Sequence, residues 1–199
     1  MRKMIENMMR KGFLMLAACL LLATGCKQKV QVAEKIQVVD SETEEPVDVA
    51  SATDINNTFV DIALPGPQGQ TVRVRDYVGK NKLVLIDFWA SWCGPCIGEL
   101  PNVVKAYELY HDKGLEIVGV SLDKDKASWV QAIAQTGQKW PQMSDLKGWD
   151  CEGAALYGIQ SIPANVLINE QGEIVARDLR GDFLLKEVES RLAAGAIAE

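Results

Sequence analysis

Leu83-Val84-Leu85-Ile86-Asp87-Phe88-Trp89, then Ala90-Ser91-Trp92, then Cys93-Gly94-Pro95-Cys96: the reading of residues 83–96 decides the fold. The first seven residues form a short apolar run with the length and content of a buried strand, broken only by Asp87. The three that follow are a connection. Two cysteines three positions apart meet when their segment opens a helix, because positions i and i+3 share a helix face. Pro95 suits a first helical turn, where its missing N–H would have no partner anyway. Gly94 leaves the backbone open beside Cys93, and the unpaired amides and positive dipole end of that turn favour a thiolate there, the form that acts as nucleophile. After Cys96 the chain can carry helix to about His111, with Val103, Val104, Ala106, Tyr107 and Leu109 as its apolar side. Strand, cysteine pair at a helix start and long helix are what a CxxC oxidoreductase requires. The competing readings are a zinc knuckle and a structural disulfide. A structural zinc site draws four ligands, usually from two such pairs, and here only Cys151 and the single histidine, His111, remain, with no second paired spacing. No metal and no organic cofactor is expected.

Working outward, Phe59–Leu64 and Thr71–Val74 flank the turn-rich Pro65-Gly66-Pro67-Gln68-Gly69-Gln70 and predict an N-terminal hairpin. Leu115–Leu122 predicts a second buried strand, and Lys126–Thr136 a helix with Trp129, Ile133 and Ala134 as its apolar side. Residues from Gly137 to Gly158 read as a long irregular connection holding Trp140 and Trp149. Asn165–Ile168 and Glu173–Asp178 flank the hairpin turn Asn169-Glu170-Gln171-Gly172, and Phe183–Ala193 closes the chain as a helix. Strands alternating with helices, then a hairpin, imply one α/β domain over residues 58–199, with a central mixed sheet flanked by helices on both faces. Trp129, Trp140, Trp149 and the methionines read as packing residues.

Asp87 through Cys96 resembles the active-site segment of thioredoxin. Ile97-Gly98-Glu99-Leu100-Pro101 is more similar to the exported TlpA/ResA branch, where an acid three residues past the second cysteine and a proline soon after recur. Ile162-Pro163 and the following Ala164-Asn165-Val166-Leu167-Ile168-Asn169-Glu170-Gln171-Gly172 resemble the family's cis-proline loop, next strand and turn. The resemblance runs from about Phe59 to the C-terminus and implies a thioredoxin fold with an N-terminal β-hairpin extension. It also implies site roles. Cys93 attacks a substrate disulfide and Cys96 resolves the mixed disulfide. Pro163 is cis and packs against the pair. The backbone at Ile162 pairs with an extended substrate segment as an added strand. Asp87 stands six residues before Cys93, as in thioredoxin, and burial would raise its pKa and fit it to accept the Cys96 proton; alternatively it is a strand-end aspartate satisfied by backbone donors. Glu99, one turn beyond Cys96, is the rival acid or a solvated helix residue. Trp92 either shields the site or is structural. The lysine that partners the buried acid in thioredoxin has no counterpart in Val118-Gly119-Val120.

The start of the chain bears on location. Arg2, Lys3, Arg10 and Lys11 precede an apolar stretch, Gly12 to Ala23, too short for a comfortable membrane span. It ends in Ala23-Thr24-Gly25-Cys26, which resembles a bacterial lipoprotein signal, with Ala23 where a leucine is usual. Residues 1–25 would be the signal peptide, cleaved before Cys26, which is left lipidated; an ordinary cleaved signal and an uncleaved anchor are the other readings. Residues 26–57 then form the lipidated cysteine and a flexible tether. No aromatic residue occurs from Lys27 to Asn57, while acids accumulate, a composition that buries little apolar surface. Val30, Val32, Ile36 and Val38 alternate as a short strand could. A flexible chain of this length spans roughly 30 Å. The expected place is the bacterial cell envelope, lipid-anchored and facing the extracytoplasmic, periplasmic space.

Of the five cysteines, Cys19 leaves with the signal, Cys26 takes lipid and Cys93 and Cys96 form the redox pair, which leaves Cys151 as a partly buried free thiol or a third redox thiol. The chain holds 21 basic and 27 acidic side chains; loss of residues 1–25 removes four basic residues and one acid and leaves a net −9. With no basic stripe, a nucleic-acid role is excluded. Three function classes follow. The first is a membrane-tethered protein-disulfide reductase. The resemblance implies disulfide-containing protein substrates, apocytochromes of cytochrome c maturation among them, and a transmembrane thiol electron donor. The second is a thiol peroxidase of the peroxiredoxin kind. Its usual Pro-x-x-x-Thr-x-x-Cys pattern would place those residues at Ile86 and Ala90, so both are missing. The third is a non-catalytic thiol-binding module.

Overall fold

The structure, a computed structural model, describes residues 57–195. The expected signal peptide with Cys19, the expected lipidation site Cys26, and the expected tether up to residue 56, with its alternation at Val30, Val32, Ile36 and Val38, lie outside the described residues. Seven strands and four α-helices follow in order: β1 (Ala63–Pro65), β2 (Thr71–Arg73), β3 (Leu83–Trp89), α1 (Gly94–Tyr110), β4 (Leu115–Ser121), α2 (Lys126–Thr136), β5 (Gln142–Met143), α3 (Glu152–Leu156), β6 (Ala164–Asn169), β7 (Ile174–Arg177) and α4 (Gly181–Gly195). β1 and β2 pair antiparallel as a hairpin, shorter than expected because residues 59–62 of the first expected strand are not in it, and the other five strands form a mixed sheet in the order β5-β4-β3-β6-β7. β3 is its centre, parallel to β4 and antiparallel to β6, and every residue of β3 and β4 is buried. That is why both segments are near-continuous apolar runs: each fully buried Leu, Ile, Val or Phe side chain contributes about 1.5–3 kcal/mol. The thioredoxin-like fold is the one the sequence implied.

Both β–α–β crossovers, β3–α1–β4 and β4–α2–β5, step the same way across the sheet, and their right-handedness places α1 and α2 on one face. α4 packs against α1. The opposite face carries α3 and the N-terminal segment: Tyr157 stacks obliquely on Phe88 of β3, and Gly153 of α3 sits tightly against Ile62 and Val120. Because strand side chains alternate, Phe88 points to the α3 face while Asp87 and Trp89 point to the α1 face. The N-terminal segment bridges β7 at Thr58 and Glu173, has both backbone groups of Val60 bonded by the Tyr157 hydroxyl, and reaches the far edge, where Ser144 N donates to Pro65 O at 3.0 Å.

Four expectations are corrected. The segment 137–158 is not all irregular; it contains β5 and α3, two and five residues long, too short to show a period. On α2 the buried apolar residues are Trp129 and Ala132, while Ala134 is exposed. On α1, Leu109 is exposed and Tyr110 is buried in its place. Cys151 is fully buried, and burial pushes its thiol pKa up, so it is more enclosed than the sequence suggested.

Candidate active site

The sharp exit from β3 sets the site. Cys93 N donates to Ala90 O at 3.1 Å, and Cys93 becomes the N-cap of α1, with Ile97 N donating back to Cys93 O at 3.0 Å as the first helical bond. Cys93 and Cys96 are joined in a disulfide with their Cα atoms 5.2 Å apart. Cys96 N, an otherwise orphaned first-turn amide, donates to Cys93 Sγ at 3.2 Å. A thiolate at Cys93 would therefore have an amide donor and the positive end of a 17-residue helix behind it. The pair is more enclosed than expected: Cys93 is 5 % exposed and Cys96 2 %, so Cys93 is the outer sulfur by a narrow margin. Gly94 and Pro95, between them, are exposed.

On the α1 face of the sheet a buried polar row crosses four strands at one height. Asp87 of β3 stands opposite Gly119 of β4 and Asn165 of β6, and Gly119 stands opposite Gln142 of β5. Gln142 Oε1 accepts from Trp89 Nε1 at 3.1 Å, and Gln142 Nε2 donates to Gln138 Oε1 at 2.7 Å. The Gln142 amide fills the space that any side chain at position 119 would need, which gives a physical reason for the absence of a lysine there. Asp87 itself is 3 % exposed. Burial pushes its carboxyl pKa up to about 7, with Arg180 drawing it down and Glu99 pushing it further up. Glu99 is not a free surface acid. Its Oε1 accepts from Gly181 N at 2.7 Å, capping the start of α4, and its Oε2 accepts from Asn102 Nδ2 at 3.2 Å.

The Ile162–Pro163 peptide is cis, and Ile162 O lies 3.7 Å from Cys93 Sγ, so this loop borders the outer sulfur directly. Trp92 is 54 % exposed; its Nε1 donates to Leu122 O at 3.3 Å, and its ring faces that of Trp149, itself 49 % exposed, at 6.3 Å. The two indoles form an exposed aromatic ledge next to Cys93. On the other flank Asp123, buried, accepts from Ser91 N, Ser91 Oγ at 2.6 Å and Ser121 Oγ at 2.7 Å, anchoring the connection that ends in Trp92 and Cys93. Asp123, Gln142, Asn165, Trp149 and Arg180 were not reached from sequence as parts of the site. Asn165 is a polar residue in a strand the sequence did predict, a signal that flags it without showing that it faces Asp87; Gln142, in a strand too short to read, and Arg180 carry none. Among the described residues there is no group of three or more His, Cys, Asp or Glu able to hold a metal ion, and no helix is long and apolar enough to cross a membrane.

Comparison with known proteins agrees with this geometry. The chain matches the Redoxin family over residues 31–189. It is 34 % identical over 116 residues to the thiol-disulfide oxidoreductase ResA of Halalkalibacterium halodurans, a match that covers 58 % of this chain and 63 % of that relative. Among solved structures, the thioredoxin domain of a thiol-disulfide oxidoreductase from Bacteroides vulgatus superposes with a TM-score of 0.64 at 34 % identity, covering 69 % of this chain and 96 % of that one. A chain described as a thiol:disulfide interchange protein DsbE, from Chlorobium tepidum, gives a TM-score of 0.60 at 30 % identity, covering 69 % and 94 %. A sheet with a CxxC pair at the head of its first long helix, facing a cis-proline loop, defines the thioredoxin-fold class of redox proteins. The chain belongs to the Redoxin family and, within it, to the thiol–disulfide oxidoreductases of the TlpA/ResA type.

Proposed function

We propose that this chain reduces disulfides of exported proteins from a lipid anchor at Cys26, in the extracytoplasmic space. The observation that supports the reading is Cys93 at the N-cap of α1 with Cys96 buried three residues into it, together with a buried acid, Asp87, in the central strand β3 whose pKa burial pushes up to about 7. In the reduced form the Cys93 thiolate attacks a substrate disulfide. One Cys93–substrate S–S bond forms, the substrate S–S bond breaks, and one substrate thiolate leaves. Cys96 then passes its proton to Asp87, and its thiolate attacks Cys93 Sγ. The Cys93–Cys96 disulfide forms, and the second substrate thiolate leaves and takes up a proton. Two electrons have moved from this chain to the substrate, so a transmembrane thiol donor must restore the dithiol. The Ile162 backbone and the ledge of Trp92 are the elements that would hold an extended substrate segment beside Cys93. Apocytochromes, whose cysteines must be reduced before haem attachment, fit as substrates.

The roles of the two sulfurs are tested by trapping. Cys96→Ser is expected to accumulate mixed disulfides with envelope proteins, and Cys93→Ser to accumulate none and to lose insulin reduction entirely. Adducts found by mass spectrometry only on Cys93→Ser would reverse the assignment. The direction of electron flow is tested in cells: the pair is expected to be largely dithiol and to become oxidised when the membrane donor is removed. A pair held as disulfide and indifferent to the donor would overturn the reductase reading.

A further inference from the structure

The residues that close β7 onto α4, Asp178-Leu179-Arg180-Gly181, are fastened to the redox site at each step. Asp178 takes up a left-handed backbone conformation, φ 55°, rare for a residue with a side chain, and its N donates to Asn165 O at 2.9 Å. Asn165, the polar-row residue opposite Asp87, grips Leu179 with both ends of its amide: Nδ2 donates to Leu179 O at 2.7 Å and Leu179 N donates to Oδ1 at 2.9 Å. Gly181 N is taken by Glu99 of α1. Between these fixed points the Arg180 guanidinium turns inward, donating through Nη2 to Pro163 O and through Nη1 to Leu179 O at 2.9 Å. It is partly buried there, with its charge acting on Asp87. Arg180 thus bonds the carbonyl of Pro163, next in the chain to the Ile162 carbonyl that borders the outer sulfur, and supplies a positive charge that acts on the buried acid, on a sheet whose position 119 carries no side chain and is filled by the Gln142 amide.

We propose that Arg180 is a positioning residue for the disulfide chemistry: it fixes the carbonyl of Pro163 in the loop that borders Cys93, and the grip of Asn165 on the neighbouring Leu179 directs its permanent charge towards the buried side chain of Asp87, which stands opposite Asn165 on β3. The bond to Pro163 and the grip of Asn165 fix where the guanidinium sits; its permanent charge does the tuning. The charged groups that bear on Asp87 among the described residues are Arg180, from the β7–α4 connection, and Glu99, from α1; its strand neighbours on β4 and β6 are Gly119 and Asn165, neither of which titrates. With Arg180 removed, only the opposing charge of Glu99 remains, and Asp87 should titrate at higher pH.

The inference rests on the reading of Asp87 as proton acceptor for its kinetic consequence, but not for its titration, so two readouts separate them. The first is carboxyl-carbon NMR titration of Asp87 in the disulfide form of the domain, where neither cysteine titrates. Arg180→Met is expected to raise the Asp87 midpoint by about one pH unit, the lower end of what an opposite charge does to a nearby carboxylate, and Arg180→Lys to bring it most of the way back. The second is the pH profile of mixed-disulfide release: the rising limb should move up by the same amount in Arg180→Met, a loss of up to about tenfold at pH 7. A midpoint unmoved in a folded Arg180→Met protein, as judged by its NMR spectrum, would overturn the proposal. So would equal shifts in the Lys and Met variants, since charge would then not be the cause. A midpoint that moves while the release profile of wild type and Asp87→Asn coincide would leave the electrostatic role standing and instead refute Asp87 as the acceptor.

Discussion

Two aspartates flank the redox pair at nearly the same depth, Asp87 at 3 % exposure and Asp123 at 1 %, and they are built for opposite purposes. Asp123 is met by donors: a backbone N–H and two hydroxyls close on its oxygens, tying the exit of β4 to the connection that delivers Cys93. Asp87 is acted on by burial and by two charges of opposite sign, Arg180 just before the first residue of α4 and Glu99 of α1, which accepts from that residue's N–H. Donors make a buried carboxylate an anchor, whereas burial against a tuned pair of charges makes it a group that can exchange a proton near neutral pH. Depth alone would not have told them apart.

The contrast can be broken most forcefully through stability. Asp87 is raised from 3.8 to about 7 in the folded chain. Between those values the folded state holds a proton the unfolded state has released, so stability falls as pH rises through that window and stays lower above it. Replacing Asp87 by Asn removes the penalty. The variant should be more stable than wild type above pH 7, by up to ~4 kcal/mol at 1.36 kcal/mol per pH unit, and the gain should vanish towards pH 4. Urea unfolding at pH 4 and pH 8 measures it, and a variant no more stable at pH 8 than at pH 4 relative to wild type would mean Asp87 is not held above its ordinary range. Asp123→Ala should do the reverse, costing ~3 kcal/mol because it strands buried donors of Ser91 and Ser121; a cost under 1 kcal/mol would show that the anchor does not hold the connection. Glu99→Gln is the gentlest probe. The amide can still cap Gly181, so the loss should be about 0.5–1 kcal/mol, while the Asp87 midpoint should fall, opposite to the effect of Arg180→Met. A rise would show that Glu99 acts on Asp87 other than by its charge.

The framework of the site was legible in the chain because its elements are long and strongly patterned. β3 and α2 fall where the sequence placed them; the structure adds the caps of α2, Asp125 accepting from Ser128 N at 2.8 Å at its start and Gly137 in the left-handed region at its end. α1 was legible from its N-terminal signals even though Pro101 interrupts its interior and leaves Ile97 O without its helical donor. β5 and α3 were not, since two residues and five residues are too short for a period of 2.0 or 3.6 to repeat. The site divided in the same way. Cys93, Cys96 and Asp87 announce themselves locally, as does Pro163 by resemblance. Asn165, Gln142 and Arg180 belong to the site only through register and through the close of β7 onto α4, which are tertiary facts; Glu99 was seen as an acid but not as the cap of a helix 82 residues further on.

In the proposed mechanism, resolution by Cys96 depends on proton transfer to Asp87. It is tested most directly by stopped-flow measurement of a single mixed disulfide at Cys93, following formation and release separately near pH 7 in wild type, Asp87→Asn and Glu99→Gln. General base assistance of this kind is worth ~100-fold or more, so release should slow by at least that factor in Asp87→Asn while formation stays within a few-fold of wild type, and Glu99→Gln should change release only slightly. Normal release in Asp87→Asn together with slow release in Glu99→Gln would contradict the account and move the proton to the acid on α1.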